Sequence, residues 1–195
     1  PKTIIKTFTE QEVKKMTEYY SGHTFMEVRN RLMLMTFFDT GIRVSELINL
    51  KLSQVKDEYI LIHGKGDKER VVPKSPLLNK WMFKYLSTRE NFFAYRRVPE
   101  NVFLSRNGRP MTTEAIHRVI KIAGKAVGVS KDIRVSPHTC RHTFAQMQLK
   151  NGLDLYSLSR LMGHSNISIT QRYLEGLRDF EVLNACKATG ILMNL

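Results

Sequence analysis

The chain has 195 residues, enough for one well-buried core or at most two small domains. Hydrophobic residues make up 42% and charged residues 25%, with no long uncharged apolar run for a membrane span and no signal peptide. Lys and Arg number 31 against 18 Asp and Glu, and the resulting +13 suits a phosphate-rich partner or, equally on charge alone, a merely soluble basic protein; its spread along the chain argues against a membrane surface.

In chain order the pattern is helical with short strand signals. "FTEQEV" opens a helix from about residue 10 to Tyr20, with Thr9 and Glu12 as a capping box and Phe8 and Val13 as a staple. "MEVRNRLMLMTFFDTG" is a long apolar helix that Gly41 ends in a left-handed turn, and "IRVSELINL" is a short helix after that stop. Two β-rich runs, Tyr59 to His63 and Glu69 to Val72, flank Gly64, Lys65, Gly66 and Asp67 as a hairpin. Ser75-Pro76 starts a helix through Trp81 and Leu86, and "NVFLSRNGRP" reads as a short strand and turn. Thr112 or Thr113 begins a helix ending near Gly128. Ser136-Pro137 begins another, which ends at Asn151-Gly152. Asp154 caps the next, Gly163 stops it, and short helices follow. The expected fold class is mainly α with a small antiparallel β-sheet (α+β).

"SPHTCRHTFA" holds two histidines and an arginine around Cys140, one of only two cysteines. At about 100° per residue His138, Arg141 and His142 share a side of the helix and Cys140 points elsewhere. No paired CxxC or HxxxH spacing accompanies it, so no metal site is expected, and Cys140 reads as a small buried apolar residue. Cys140 and Cys186 are too few for a disulfide framework, which fits a reducing, cytoplasmic setting. His138 and Arg141 near a helix N-terminus suit an anion, although an isolated HxxR is more often structural.

Four further segments supply groups that phosphoryl transfer needs. They are "TGIRVSEL" with Arg43 and Glu46, "HGKGDKER" with Lys65, "LMGHSNIS" with His164, and "TQRYL" with Tyr173. Together with HTCRHTFA they form five signatures in one order, from about Phe8 to Tyr173. In this the chain resembles the tyrosine recombinase family, the phage-integrase and Xer-type site-specific recombinases. Cys140 and Met162 stand where that family often has Leu, both apolar exchanges.

The resemblance implies a recombinase catalytic domain of the DNA breaking-rejoining fold. In it Arg43 and Arg141 bind the non-bridging oxygens of a scissile phosphate, and His138 and His164 complete the cradle. His138 would accept the proton of Tyr173, which attacks phosphorus, and Lys65 would protonate the leaving 5′-oxygen. Glu46 and His142 would support these groups, and neither metal nor cofactor is expected. Double-stranded DNA is the implied partner, held through phosphates by Lys68, Arg70, Arg106 and Arg109, with a homo-tetramer on DNA. Beginning at Pro1, residues 1–195 are expected to be the catalytic half alone, without the family's N-terminal DNA clamp. A tail at 176–195 would dock on a neighbouring protomer, or equally on its own core.

Each residue also has an ordinary structural alternative. Arg43 and Glu46 are spaced as a surface ion pair, Lys65 as a solvated turn residue, and His164 as a hydrogen-bonding group at a helix end. Tyr173 is one of seven tyrosines, singled out only by its distance from His164. Rival activities are a type IB topoisomerase-like cleavage and religation, and a non-catalytic DNA-binding module on the same fold.

Overall fold

A computed structural model describes residues 6–64, 69–164, 166–171 and 173. The expectations for Lys65, Lys68 and the 176–195 tail fall outside these residues. The elements run α1 (Glu10–Tyr19), α2 (Phe25–Thr40), α3 (Val44–Asn49), β1 (Tyr59–His63), β2 (Glu69–Pro73), α4 (Pro76–Phe92), α5 (Thr113–Ala126), α6 (Pro137–Lys150), α7 (Leu155–Met162) and α8 (Ile167–Gln171). This is the mainly helical arrangement with one small antiparallel sheet that the sequence pattern calls for. None of the described helices is long and apolar enough to cross a membrane.

Helix α2 is the centre of the molecule because residues on all its sides are buried, Arg29, Asn30 and Thr36 among them. Phe25, Val28, Leu32, Met33, Leu34, Met35 and Phe37 are all buried, and α1, α4 and α6 pack against it. The caps sit where the sequence puts them. Thr9 and Glu12 form the reciprocal box of α1, Ser75 and Ser136 cap α4 and α6 ahead of a proline, and Asp154 caps α7. The expected strand in "NVFLSRNGRP" reduces to isolated bridges, Lys51 with Asn101 and Leu104 with Pro110. Its backbone is held by the Val102 N–H bond to the Leu50 carbonyl, by the turn bond from the Ser105 N–H to the Arg109 carbonyl, and by side chains from the helices. Tyr85 donates to the Val102 carbonyl and Arg29 to that of Leu104.

Two glycines fix chain reversals that matter for the site. Gly41 ends α2 at φ 60°, and a Cβ there would stand 2.3 Å from Cδ1 of the Phe144 ring on α6. Gly163 ends α7 at φ 64°. Only glycine takes either conformation without strain, and at Gly41 only glycine fits the space.

Candidate active site

The site begins with two helix ends that face each other. Pro137 and the Ser136 cap start α6 so that His138, Arg141 and His142 fall within its first two turns. Opposite them α7 stops at Gly163. The His164 N–H bonds the Ser159 carbonyl and the Gly163 N–H bonds that of Arg160, closing the helix in the Schellman manner. The next three carbonyls, of Leu161, Met162 and Gly163, each receive a guanidinium from a different element. Arg70 Nε of β2 reaches Leu161 at 2.7 Å, Arg141 Nη2 of α6 reaches Met162 at 2.6 Å, and Arg43 Nη2 reaches Gly163 at 3.3 Å. The negative end of a helix dipole and its terminal carbonyls favour such cations.

Arg141 is 6% exposed and held entirely by groups without formal charge. Besides Met162, its Nη1 donates to the Gly41 carbonyl and its Nη2 to His164 Nε2 at 3.1 Å. Burial first, then the charge of Arg43, lowers its pKa to about 10, so it stays protonated at neutral pH. Because a guanidinium has no acceptor, His164 Nε2 is the bare nitrogen, and Nδ1 carries the proton toward Thr170 Oγ1 at 2.8 Å. His164 is therefore neutral. Burial and then the Arg141 charge hold its pKa at about 4.

Arg43 is held differently. It is the N-cap residue of α3, and Glu46 reaches back to its backbone N–H at 2.8 Å and to its Nη1 at 2.9 Å. The same carboxylate takes a two-pronged bond from Arg70, Nη1 to Oε1 at 2.8 Å and Nη2 to Oε2 at 2.7 Å. Burial pushes Glu46 up, but the bonds and charge of Arg70, with those of Arg43, outweigh it and hold the pKa at about 2. The cluster of Arg43, Arg70, Arg141 and Glu46 thus sets three guanidinium charges against one carboxylate. Its positive surplus suits an anion.

His138 and His142 face each other one helical turn apart, with their Nε2 atoms 2.5 Å apart and their rings edge to face. The two rings share a single hydrogen bond, which ties His142 to the more open His138. Burial lowers both pKa values, that of His142 to about 4, with His138 and Arg141 adding to the effect. Tyr173 is 4% exposed, with its ring nearly parallel to His164 at 6.3 Å and tilted on His142 at 5.1 Å. It packs with Phe144, Leu149, Leu158 and Met162. Arg43, His138, Arg141, His142, His164 and Tyr173 all line one cavity of about 440 Å³. An open groove of about 1780 Å³ adjoins it between β1, β2 and α7, sharing Arg43 and His164.

Five of the six expected catalytic residues therefore meet, and the sixth, Lys65, lies outside the described residues. Arg106 and Arg109 are exposed on the turn that the Ser105–Arg109 backbone bond closes, away from the cavity. Arg70 sits otherwise than a solvent-facing phosphate contact would. It was expected on DNA phosphates, yet its side chain is 9% exposed and its three donor nitrogens are committed to Glu46 and Leu161. The signal lay in the hairpin alternation. Arg70 pairs with Ile62 and shares the inward face with Val72. Thr170 and the carbonyls of Gly41 and Met162 were also missed, since backbone acceptors leave no trace in side-chain pattern. Cys140 is completely buried, and burial pushes its thiol far up, away from nucleophilic chemistry.

Comparison with known proteins follows the same lines. The family model described as the phage integrase family matches residues 6–178. The tyrosine recombinase XerD of Staphylococcus aureus is 40% identical over 147 residues, which is 74% of this chain and 49% of that protein. XerD of Halalkalibacterium halodurans is 33% identical over 174 residues, 88% of this chain and 58% of that one. The chain thus spans about half the length of the curated relatives it matches. Among solved structures, that of XerA recombinase superposes with a TM-score of 0.82 at 30% identity, covering 97% of this chain and 67% of XerA. The catalytic domain of bacteriophage HP1 integrase shares the fold at a TM-score of 0.61 and 22% identity, covering 97% and 98%.

Proposed function

This chain belongs to the phage integrase family of tyrosine recombinases, and on that premise we propose that it is the catalytic part of a site-specific DNA recombinase. One observation carries the reading: a surplus of guanidinium charge converges on a small cavity with Tyr173 in its wall. In this reading a phosphodiester of double-stranded DNA enters, and Arg43 and Arg141 bind its non-bridging oxygens, where charge grows in the pentacoordinate transition state. Tyr173 Oη forms a bond to phosphorus as the bond to the 5′-oxygen breaks. The tyrosine proton passes to His138, with His142 behind it, and Lys65 gives a proton to the departing 5′-oxygen.

His164 acts through Arg141, whose position it shares with Met162 and Gly41. The product is a 3′-phosphotyrosine, which conserves the energy of the phosphodiester. Attack by a second 5′-hydroxyl rejoins the strand without ATP, metal or cofactor. Since Tyr173 is buried, either the phosphate enters deeply or the tyrosine swings outward on engagement. Strand exchange within a homo-tetramer, with residues 1–195 acting as one catalytic domain and 176–195 as the linking tail, completes the proposal, as does a cytoplasmic setting.

The experiment uses a pool of nicked duplexes of randomised sequence. An SDS-stable protein–DNA adduct should form with the wild-type chain and vanish in Tyr173→Phe. No adduct would leave a DNA-binding module. An adduct that religates without ever joining two duplexes would leave topoisomerase-like activity.

A further inference from the structure

Arg70 has no part in the chemistry described above, yet all three of its nitrogens are engaged, by Glu46 and the Leu161 carbonyl, in the groove that adjoins the cavity. We propose that Arg70 is a positioning residue, which aims Arg43 through Glu46 and fastens strand β2 to the end of α7. The inference rests on the reading of Arg43 as a phosphate-binding group.

Three features of the geometry point the same way. Each Glu46 oxygen accepts two hydrogen bonds. Oε1 takes Arg43 Nη1 and Arg70 Nη1, while Oε2 takes the Arg43 backbone N–H and Arg70 Nη2. A carboxylate so saturated cannot rotate, so the Arg43 fork that rests on it has one orientation. Arg43 needs that support, because its own side chain is 38% exposed and its contact to Gly163 is the longest of the three to the α7 carbonyls.

Arg70 Nε also sits on the Leu161 carbonyl, one residue from the carbonyl that holds Arg141. A single helix end therefore sets the relative position of Arg70, Arg141 and Arg43. Finally, the fit at this point is close. A Cβ on Gly163 would stand 3.0 Å from Arg70 Cδ, so the reversal that ends α7 and the Arg70 stem are matched to each other. In a site where small misplacements of a charged group cost large factors in rate, such a support acts on the reaction without touching the phosphate.

Two other roles compete with this one. A phosphate contact would make Arg70 part of the DNA affinity. A purely structural ion pair would make it part of the stability alone.

The test compares Arg70→Gln and Arg70→Lys with the wild-type chain in three measurements. Arginine side-chain NMR on the DNA-free chain should show Arg43 in a single slowly exchanging orientation, which both variants convert to an averaged signal. Binding to random duplex should keep its salt slope in Arg70→Gln, where a lost phosphate contact would lower the slope by about one. The rate of adduct formation should fall about 10- to 100-fold. That loss should steepen toward acid pH, as the Glu46 carboxylate no longer has Arg70 to keep it ionised, and Arg70→Lys should recover little, since an ammonium cannot span both oxygens and Leu161.

Unchanged Arg43 signals, or a salt slope reduced by about one, would overturn the proposal. So would a rate that follows stability alone, with the pH profile of the wild-type chain. The NMR measurement needs no cleavable site, so it decides the role of Arg70 even if no adduct ever forms. Arg70→Lys keeps the charge and the stem, and serves if Arg70→Gln does not fold.

Discussion

Arg141 and Arg43 line the same cavity, yet they are held by opposite means. Arg141 is buried among carbonyls and a neutral histidine, so its charge stays uncompensated. Arg43 is partly open and rests on a carboxylate that Arg70 also grips. The first arrangement gives a fixed charge whose cost is met by the surrounding fold, through the Gly41 carbonyl at the end of α2 and Met162 and His164 at the end of α7. The second gives a charge that remains accessible and whose position depends on a network of ionised side chains. A cradle that must exist before substrate arrives and yet admit it needs both kinds of support.

That contrast can be broken most severely on the Arg141 side. Arg141→Ala should lower adduct formation by about 10²- to 10³-fold, and Arg141→Lys should restore little, because one ammonium cannot reach Gly41, Met162 and His164 together. A single-turnover assay on nicked duplex measures both, and a lysine variant close to wild type would show that charge alone matters there.

The Arg43 side should instead declare itself through pH. Glu46 has its pKa depressed to about 2, so its contribution to stability is complete above its ordinary value near 4.5 and is lost as pH falls toward about 2. Across that window wild-type stability should drop by up to about 3 kcal/mol through this group. Glu46→Gln should lack this component, as read by denaturant unfolding at a series of pH values. Parallel curves for the two proteins would mean that the Arg70 and Arg43 contacts leave the carboxylate unperturbed.

Gly41→Ala sharpens the comparison with the smallest change. A positive φ and the clash with Phe144 should cost about 1–3 kcal/mol while moving the carbonyl that holds Arg141. The Glu46 window in pH should survive in this variant. If the acid-side behaviour changed as well, the two supports would not be separable.

Much of the fold was legible because it is written in local chemistry. Thr9 with Glu12, Ser136 with Pro137, and Asp154 mark helix starts whatever the rest of the chain does. Gly41 and Gly163 mark stops because few other residues accept a left-handed turn. "NVFLSRNGRP" has the composition of a strand yet forms only bridges, its backbone bonding to Leu50, to its own turn and to the side chains of Tyr85 and Arg29.

The same division runs through the site. Its residue types were legible, since motif order singles out Arg43, His138, Arg141, His164 and Tyr173 from the other arginines, histidines and tyrosines of the chain. How each is supported was not. Backbone carbonyls are identical at every position, so a sequence cannot say that those of Gly41, Leu161, Met162 and Gly163 would gather three guanidinium groups. Nor does Arg70 announce in its neighbours that it faces Glu46 and not solvent, beyond the alternation that sets it opposite Ile62. By itself the sequence determined the helices, the turns and the chemical groups, because those follow from contacts within a few residues. Only the tertiary structure decided which arginine meets carboxylate, carbonyl or open cavity, because that choice depends on burial and on partners far apart in the chain.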